Sequence, residues 1–515
     1  MALLQWLIHI HSTKILYLFA SVLLAVTLKF VLQDRFRKRK LNLPPSPPKL
    51  PIIGNLHQLG TMPHISLRRL AAKHGPIMFL RLGEIPTLVL SSPRLAKELL
   101  TTHDIAFSNR PKLVSARSLF YGCTDIAFAP PDAYWRSIKK ICNLELLSAK
   151  RVKSFSFVRE GEVARLGSRI AEPYPGPVNL SKLLGLYAND VICRVVLGKN
   201  FSEAGEYDRH GFHDMLHNFL TLLGGFSLGD YFPSLGYVQN LTSMKSKLQT
   251  TFEPFDQFFD EVISEHLYSA TKSEEQKDLV DILLDIQKSG SSEMPLNMNN
   301  IKPIMLDAFA GGTDTTFVTL DWAMTELIMH PSIMRKAQAE LSTVVGEKRK
   351  VEDSDLQHLH FMKAILKETF RLHPAGPLLI PRESMEDSVI DGYNIPAKTR
   401  VYLNVWAIGR DPKIWENPET FEPERFMGSS IDFTGRNFEL LPFGAGRRGC
   451  PGISFGTAVM ELGLAQLLHS FDWELPPGVT PKDIDNREFF GLGVGRTVPL
   501  HVIAKPRFNF RRNSS

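Results

Sequence analysis

The apolar positions along this chain follow two periods, and most of them follow the helical one. Helical patterns dominate from Pro131 to Glu383, with loops such as EPYPGPVN and KSGSSEMPLNM between them. Shorter alternating runs, typical of strands, occur in IMFLRLGEIPTLVLSS, in SVIDGYNIPAKTRVYLNVWAIG and near GLGVGRTVPLHVIAKP. The apolar run ISFGTAVMELGLAQLLHSF predicts one long helix near the C-terminus. We therefore expect a mainly α fold with small β-sheets.

The N-terminal segment has a different pattern. ILYLFASVLLAVTLKFVL is nearly all apolar, and QDRFRKRK follows it with five basic residues. An apolar run of about 18 residues can span a bilayer as a helix, and a basic flank on its C-terminal side places the following domain in the cytosol. A cleaved signal peptide carries its charge before the apolar run. Residues 1–33 are therefore predicted to be a membrane anchor.

A basic and proline-rich hinge, residues 34–51, joins this anchor to the rest of the chain. Its sequence LNLPPSPPKLP cannot continue a helix and favours stiff, extended backbone. The alternative is a proline-rich ligand for a partner domain, but the adjacent anchor favours a spacer. No repeat and no linker divides the chain after Pro51, so residues 52–515 are predicted to form one domain.

Composition narrows the function classes. Hydrophobic residues make up 43% of the chain, which is ordinary for a globular protein. The net charge is only +6 and the basic residues do not form one long block, which argues against nucleic-acid binding. The four cysteines, Cys123, Cys142, Cys193 and Cys450, form no CxxC pair, which argues against a zinc site or a redox dithiol.

One of these cysteines lies in an unusual loop. In ELLPFGAGRRGCPGI, glycines and two arginines surround Cys450. A reactive or metal-binding cysteine needs its thiolate form, which nearby positive charge and backbone N–H groups favour. Arg447 and Arg448 supply charge, and Pro451 and Gly452 open an apolar helix whose N-terminal dipole stabilises an anion. A buried, inert thiol is the alternative, and this context favours a functional one.

Two further stretches have an unusual composition. In DAFAGGTDTTFVTL, Gly311 and Gly312 interrupt a helical pattern at a cost of about 1 kcal/mol each relative to alanine. Either the helix packs closely against a neighbour, or the missing side chains leave room for a cofactor and dioxygen. In KETFRLHP, Glu368 and Arg371 share one helix face, where an isolated pair contributes little.

Together these stretches resemble the cytochrome P-450 superfamily. FGAGRRGC matches its haem-binding loop, Phe-x-x-Gly-x-Arg-x-Cys, at Phe443, Gly446, Arg448 and Cys450. DAFAGGTDTTFVTL resembles its distal helix, and KETFRLHP contains its Glu-x-x-Arg. The PPSPP hinge, NVWAIGRDP and FEPERF extend the likeness over essentially the whole chain and indicate the plant microsomal A-type group. The resemblance implies a single P-450 domain behind a transmembrane helix.

The resemblance also assigns roles on the cofactor side. Cys450 would be the axial thiolate of the iron in haem b, with Phe443 shielding the sulfur. The haem propionates would be bound by Arg448, Trp135, Lys139 and Arg382, and Arg136 is an alternative donor to Lys139. Lys139 departs from the arginine usual at that position, and a lysine offers a point charge in place of a fork of donors.

Five other residues receive roles in the same way. Asp314 and Thr315 correspond to the acid–alcohol pair that delivers protons to dioxygen in a largely dry pocket. Glu368, Arg371 and Arg425, the last in FEPERF, would form a buried network that supports the proximal side. Loss of one member of such a network strands a buried charge.

The implied function is a monooxygenase that inserts one oxygen atom of O2 into a C–H bond. The chain contains no recognisable flavin or nicotinamide domain, so electrons would come from a separate NADPH-dependent flavoprotein reductase, with a cytochrome b-type protein as a further candidate donor. The resemblance implies a single-pass protein of the endoplasmic reticulum membrane, with its catalytic domain in the cytosol.

The segments that resemble the family's recognition regions are largely apolar. They indicate a small hydrophobic substrate, a terpenoid ahead of a phenolic, flavonoid, coumarin or alkaloid. Each candidate pocket residue could equally be core; the candidates are Phe107, Phe120, Phe309, Ala310, Ala375, Leu379 and Phe490. Two other functions compete: a haem-thiolate isomerase or dehydratase without external electrons, and a non-enzymatic haem-binding protein. A complete acid–alcohol pair argues against both.

Overall fold

The structure is a computed structural model that describes residues 21, 41–199, 212–225, 227–236, 243–269, 272–274, 276–290, 296–491 and 493–508. The predicted anchor, apart from residue 21, and the basic part of the hinge lie outside these ranges. Among the described helices, none combines the length and apolar character needed to cross a bilayer.

Helices are the commonest regular structure in the described chain, as the apolar period predicts. In chain order the α-helices are α1 (Pro63–His74), α2 (Pro93–Lys97), α3 (Val114–Leu119), α4 (Ala133–Ile141), α5 (Ala149–Ser154), α6 (Ser156–Ala171), α7 (Leu180–Leu197), α8 (Phe212–Gly224), α9 (Leu228–Tyr231), α10 (Ser243–Tyr268), α11 (Leu279–Ser289), α12 (Met298–Gly312), α13 (Asp314–Met329), α14 (Pro331–Val345), α15 (His360–Leu372), α16 (Val405–Ile408) and α17 (Ile453–Ser470).

The strands form small sheets. They are β1 (Ile77–Leu82), β2 (Ile85–Leu90), β3 (Val178–Asn179), β4 (Arg382–Glu383), β5 (Ser388–Ile390), β6 (Tyr393–Ile395), β7 (Arg400–Leu403), β8 (Phe471–Glu474), β9 (Glu488–Phe490), β10 (Val494–Arg496) and β11 (His501–Pro506). The largest sheet has the order β1-β2-β7-β4, in which only β2 and β7 run parallel. A second sheet has the order β3-β11-β8, and β5–β6 and β9–β10 are antiparallel pairs.

One segment that was predicted to form only strands ends in a short helix. The alternating run from Ser388 to Gly409 forms β5, β6 and β7, but its last part is helix α16. Asn404 explains the change, because its side chain accepts a hydrogen bond from the backbone N–H of Ala407 at 3.0 Å and so caps the helix. The Asn404 amide also donates to the carbonyl of His64 at 2.8 Å, which joins α16 to α1.

The main core lies between the long helices. Helix α13 packs against α7, α15 and α17, and α12 packs against α7. Almost every residue from Thr316 to Ile328 is buried, so this helix runs through the centre of the molecule. A smaller core, which includes Phe107, lies beside the largest sheet. The central position of α12 and α13 decides what lines the interior.

A buried charge cluster fixes the end of α13. The Glu326 carboxylate accepts a hydrogen bond from His373 at 2.7 Å and lies 3.3 Å from His330. Burial alone would raise the pKa of Glu326, but hydrogen bonds from these two histidines lower that pKa to about 2. The His373 ring stacks on Trp322 with 3.9 Å between ring centroids. These contacts hold the segment after α15 against α13.

Candidate active site

The Cys450 loop is held by its own backbone. The Cys450 N–H donates to the carbonyl of Phe443 at 3.0 Å, directly before helix α17. Gly446 has a φ of +71°, and a Cβ at this position would lie 2.7 Å from the Asp104 carboxylate. Both the left-handed backbone and the close carboxylate therefore require glycine here. The Phe443 ring packs edge-on against Phe370, with 5.2 Å between centroids.

Cys450 differs from the other cysteines in accessibility. It is exposed, whereas Cys123, Cys142 and Cys193 are buried. Burial by the surrounding protein nevertheless raises the pKa of the Cys450 thiol, against an opposing hydrogen bond from the Gly452 N–H. Its accessible surface therefore faces an interior recess. A bound metal ion would favour the thiolate form of this sulfur.

The Arg448 side chain is held by backbone carbonyls. Its guanidinium donates to the carbonyls of Ser108 at 2.7 Å and Ile126 at 3.1 Å, and also to that of Ala129. It lies over the Trp135 ring, 4.0 Å from the centroid. The Trp135 indole N–H donates to the same Ile126 carbonyl at 3.0 Å, which fixes the ring on which the Arg448 guanidinium lies.

Several cations crowd the region between this loop and strand β4. We call them the cation cluster: Arg110, Lys139, Arg382 and Arg448. Burial, Arg382 and Arg448 lower the pKa of Arg110, and burial together with Arg382 lowers the pKa of Arg448 to about 10. Burial and Arg448 lower the pKa of Lys139, whose ammonium donates to the Arg447 carbonyl. Because these cations repel one another, additional negative charge beside them would be favourable.

One member of the cluster was missed in the sequence. Arg110 is 6% exposed and donates to the carbonyls of Ala127 at 2.8 Å and Ile380 at 2.6 Å. Its partners lie 17 and 270 residues away along the chain, so no local spacing marks it. Arg382, which was predicted, pairs with Asp104 at 2.8 Å and donates to the Ala445 carbonyl at 2.8 Å.

The predicted distal helix is divided in two. Helix α12 ends at Gly312 and α13 begins at Asp314, with Thr313 between them. Thr315 Oγ1 donates to the carbonyl of Gly311 at 2.6 Å, a contact of the kind that bends helices. The helix therefore breaks beside the acid–alcohol pair.

The two glycines at this break have different causes. A Cβ on Gly312 would overlap the Ile192 side chain of α7, so this glycine permits close helix packing. A Cβ on Gly311 would meet nothing within 4 Å, and Gly311 is exposed directly after the buried Ala310. The close-packing alternative therefore holds for Gly312, whereas Gly311 borders open space, which is what the other alternative requires. The open face at Gly311 lies one turn before Thr315, on the same side of the helix.

The network of Glu368, Arg371 and Arg425 is present. Two Arg371 nitrogens donate to the two Glu368 oxygens, each at 2.7 Å, and Arg425 Nε donates to Glu368 at 3.0 Å. Both the Glu368 and the Arg371 side chains are 0% exposed. Arg371 also donates to three carbonyls, those of Gly409, Pro418 and Thr420.

The candidate pocket residues fall into two groups. Phe107, Phe120, Phe309 and Ala310 are buried, with exposed fractions from 0% to 4%. The ring of Phe120 packs on Phe219 at 5.3 Å, which favours a core role. Ala375 and Leu379 keep partly accessible surface, and the Leu379 side chain would lie 3.5 Å from a Cβ on Gly444 of the cysteine loop. The side chain of Phe490 lies outside the described part of the structure.

A helical body in which an accessible cysteine, a cation cluster and an opened central helix occur together defines the class of haem-thiolate oxygenases. The family model named Cytochrome P-450 matches residues 44–500. The chain is 63% identical over 508 residues to Cytochrome P-450 71AP13 of Prunus mume, covering 99% of this chain and 98% of the relative. The chain therefore belongs to the cytochrome P-450 family, and it is a monooxygenase similar to the plant A-type enzymes.

More distant relatives carry names that state an activity. Strychnine-11-hydroxylase of Strychnos nux-vomica is 45% identical over 501 residues, covering 96% of this chain and 98% of the relative. Premnaspirodiene oxygenase of Hyoscyamus muticus is 44% identical over 494 residues, covering 94% and 97%. A zebra fish cytochrome P-450 solved with abiraterone has a TM-score of 0.74 and 29% identity, covering 87% of this chain and 100% of that chain.

The family uses haem b, with electrons supplied from NADPH through a reductase, and the residues present fit this group. Cys450 offers an accessible sulfur, the soft ligand that iron takes in such sites. In the cation cluster Asp104 pairs with Arg382, yet the pKa values of Arg110 and Arg448 stay lowered by burial and by neighbouring arginines, so two propionates would be favourable partners there. Gly311 leaves one face of the central helix free of side chains.

Proposed function

We propose that this chain hydroxylates, or otherwise oxidises, a small hydrophobic plant metabolite, with a terpenoid as the favoured class. The observation that supports the active-site assignment best is the accessible surface at Gly311 and Thr315, at the break between two helices whose residues are mostly buried. Bound to Cys450, the haem would supply an iron centre that activates O2 and oxidises a C–H bond. The residues around it would bind, orient and exclude water.

In this proposal the cation cluster binds the haem propionates. Arg382 and Arg448 are already positioned by carbonyls and by Asp104, so they need little rearrangement to meet an anion. Lys139 lies 5.0 Å from the Trp135 ring centroid and adds a mobile point charge. Arg110 joins them from the loop that precedes α3. The sum of these charges orients the planar cofactor with respect to Cys450.

Asp314 and Thr315 would control proton delivery on the opposite side. Thr315 Oγ1 already donates to the Gly311 carbonyl, which leaves the oxygen lone pairs free to accept from water in the recess. Asp314, one residue earlier, is half-buried and can exchange protons with groups nearer the solvent. A positioned donor beside a dry recess limits protonation to the intended atom.

The substrate class rests on the apolar character of the recess. Ala375 and Leu379 are the predicted pocket residues with accessible surface, and neither can ionise. One relative is named for premnaspirodiene and another for strychnine, so relatives of similar identity act on different compounds. The absence of charged residues among the predicted pocket positions favours a hydrocarbon-rich substrate over a charged one.

We further propose that residues 1–33 anchor the protein in the endoplasmic reticulum membrane as a single pass, with the domain in the cytosol. This rests on the apolar run and its basic flank. An NADPH-dependent reductase in the same membrane would then reach the cysteine-loop side, and a cytochrome b-type protein is a further candidate donor. Arg447 is 52% exposed on that side and could attract an acidic partner.

The ligand assignment is tested by spectroscopy of the reduced protein with carbon monoxide. Cys450→Ser should abolish the absorption band of thiolate-ligated haem, whereas the matched control Cys123→Ser should keep it. Persistence of the band in the Cys450→Ser protein would refute the assignment.

The reaction is tested by co-expression with a plant reductase and a screen of terpenoid, flavonoid, coumarin and alkaloid libraries by mass spectrometry. We expect product that carries one oxygen atom from labelled O2 and that requires both NADPH and reductase. Equal turnover without reductase would instead indicate an isomerase or dehydratase.

A further inference from the structure

Strand β10 and Gly493, the bend residue just before it, pack against the start of helix α13. A Cβ on Gly493 would lie 2.7 Å from the Asp314 carboxylate, and a Cβ on Gly495 would lie 3.3 Å from a methyl of Val318. Neither glycine has a positive φ, so the backbone at both positions suits an alanine. Glycine is therefore required at both positions because a side chain has no room there, and not because of the backbone conformation.

The segment around Gly493 is fixed by hydrogen bonds on both sides of the next residue. The Val494 N–H donates to the Ala375 carbonyl at 2.9 Å, and the Trp322 indole donates to the Val494 carbonyl at 3.4 Å. Val494 is 4% exposed and pairs with Phe490 in the β9–β10 ladder. Because hydrogen bonds hold the Val494 backbone, we expect a side chain added at position 493 to displace the Asp314 carboxylate rather than strand β10.

We propose that Gly493 is a positioning residue that sets the orientation of the Asp314 carboxylate. The inference rests on the proposed proton-delivery role of Asp314. An aspartate has only two side-chain torsions, so a contact with one carboxylate oxygen selects among few rotamers. A methyl at 2.7 Å is closer than Cβ atoms approach oxygen, and the carboxylate must rotate. The segment between β9, which holds the pocket candidate Phe490, and β10 would thereby also influence proton delivery by Asp314.

The first test measures the contact without any turnover. Gly493→Ala should lower the thermal unfolding midpoint of the holoprotein by about 1–2 °C. In an Asp314→Ala background the same substitution should have no effect, because the methyl enters the space that the carboxylate has left. Equal shifts in both backgrounds would show that position 493 does not contact the carboxylate, which overturns the proposal.

The second test measures turnover with reductase. A misplacement of about 1 Å can slow a reaction by roughly 10²-fold, so Gly493→Ala should slow NADPH oxidation by about three- to tenfold. Gly493→Ala should also change the solvent isotope effect, which is the ratio of the turnover rates in H2O and D2O, in the same direction as Asp314→Asn does. The matched control is Gly495→Ala, which adds the same methyl two residues later, in strand β10, but meets Val318, and it should keep the native ratio.

The outcomes separate the two proposals. If Asp314→Asn slows turnover and Gly493→Ala does not, the role of Gly493 is overturned while that of Asp314 stands. If the double variant Gly493→Ala/Asp314→Asn is slower than Asp314→Asn by the full single-variant factor, Gly493 acts through another group and the proposal also fails. If Asp314→Asn itself has no effect, the proton-delivery role is refuted, and the inference about Gly493 is refuted with it.

Discussion

Replacing Glu368 by glutamine tests how much the buried network contributes to stability. The substitution keeps the size of the side chain but removes its charge and one acceptor oxygen. In the native protein this carboxylate accepts two bonds from Arg371 at 2.7 Å, one from Arg425 at 3.0 Å and one from the Glu422 N–H at 2.8 Å. Glutamine instead directs an amide N–H2 group at guanidinium donors.

The magnitude follows from burial. Breaking a buried ion pair by removing one partner costs about 3–5 kcal/mol, because the remaining charge is left uncompensated. Three carbonyls still accept from Arg371, so we expect a loss near the lower end, about 3 kcal/mol. Domains are typically stable by about 5–15 kcal/mol, so the variant should fold with a clearly lower stability.

The assay is urea unfolding of the purified holoprotein, followed by tryptophan fluorescence and by the carbon monoxide spectrum. The matched control is Asp485→Asn, which makes the same carboxylate-to-amide change in an exposed pair with Arg487. We expect no measurable change there, because exposed pairs contribute little. If Glu368→Gln unfolds at the same urea concentration as Asp485→Asn, the reasoning about buried charge is wrong.

Two further predictions concern the central helix. Gly312→Ala should cost about 1–3 kcal/mol in the free energy of unfolding through overlap with Ile192. Gly311→Ala should keep or slightly raise the thermal midpoint, because alanine favours the helix, and should lower product formation. Equal losses of stability would contradict the division between the two glycines. Glu326→Gln should remove a contribution that is fully present above pH 4.5, the ordinary pKa, and that is lost as pH falls through about 2. The difference in unfolding free energy between the native protein and this variant should therefore shrink over that range, and an unchanged difference would contradict the pairing with His373.

Local spacing explains why much of this site could be predicted. Cys450, Gly446 and Phe443 act within one loop, and the cysteine N–H and the phenylalanine carbonyl bond directly. Glu368 and Arg371 share a helix face, which a separation of three residues already indicates. The mainly helical fold and its small sheets follow from periodicity in the same way. Each of these features depends on residues close together in the chain.

The features that could not be predicted depend on distant partners. Arg110 donates to the Ile380 carbonyl, and Gly493 lies against Asp314, so neither residue has a neighbour in sequence that indicates its role. The pair Gly311 and Gly312 shows the same limit, since only the position of Ile192 tells which glycine is needed for packing. Arg448 likewise donates to the Ser108 carbonyl, 340 residues away along the chain, a partner that no local spacing indicates.

The backbone of Ile126 has a consequence for making chimeras between this enzyme and its relatives. Its N–H donates to Asp307 of α12 at 2.6 Å, and its carbonyl accepts from both Trp135 and Arg448. One backbone unit thus joins the oxygen-side helix to the cysteine loop. A chimera that exchanges only residues 112–124 would leave this joint intact. A crossover placed beyond residue 126 must carry the matching helix with it.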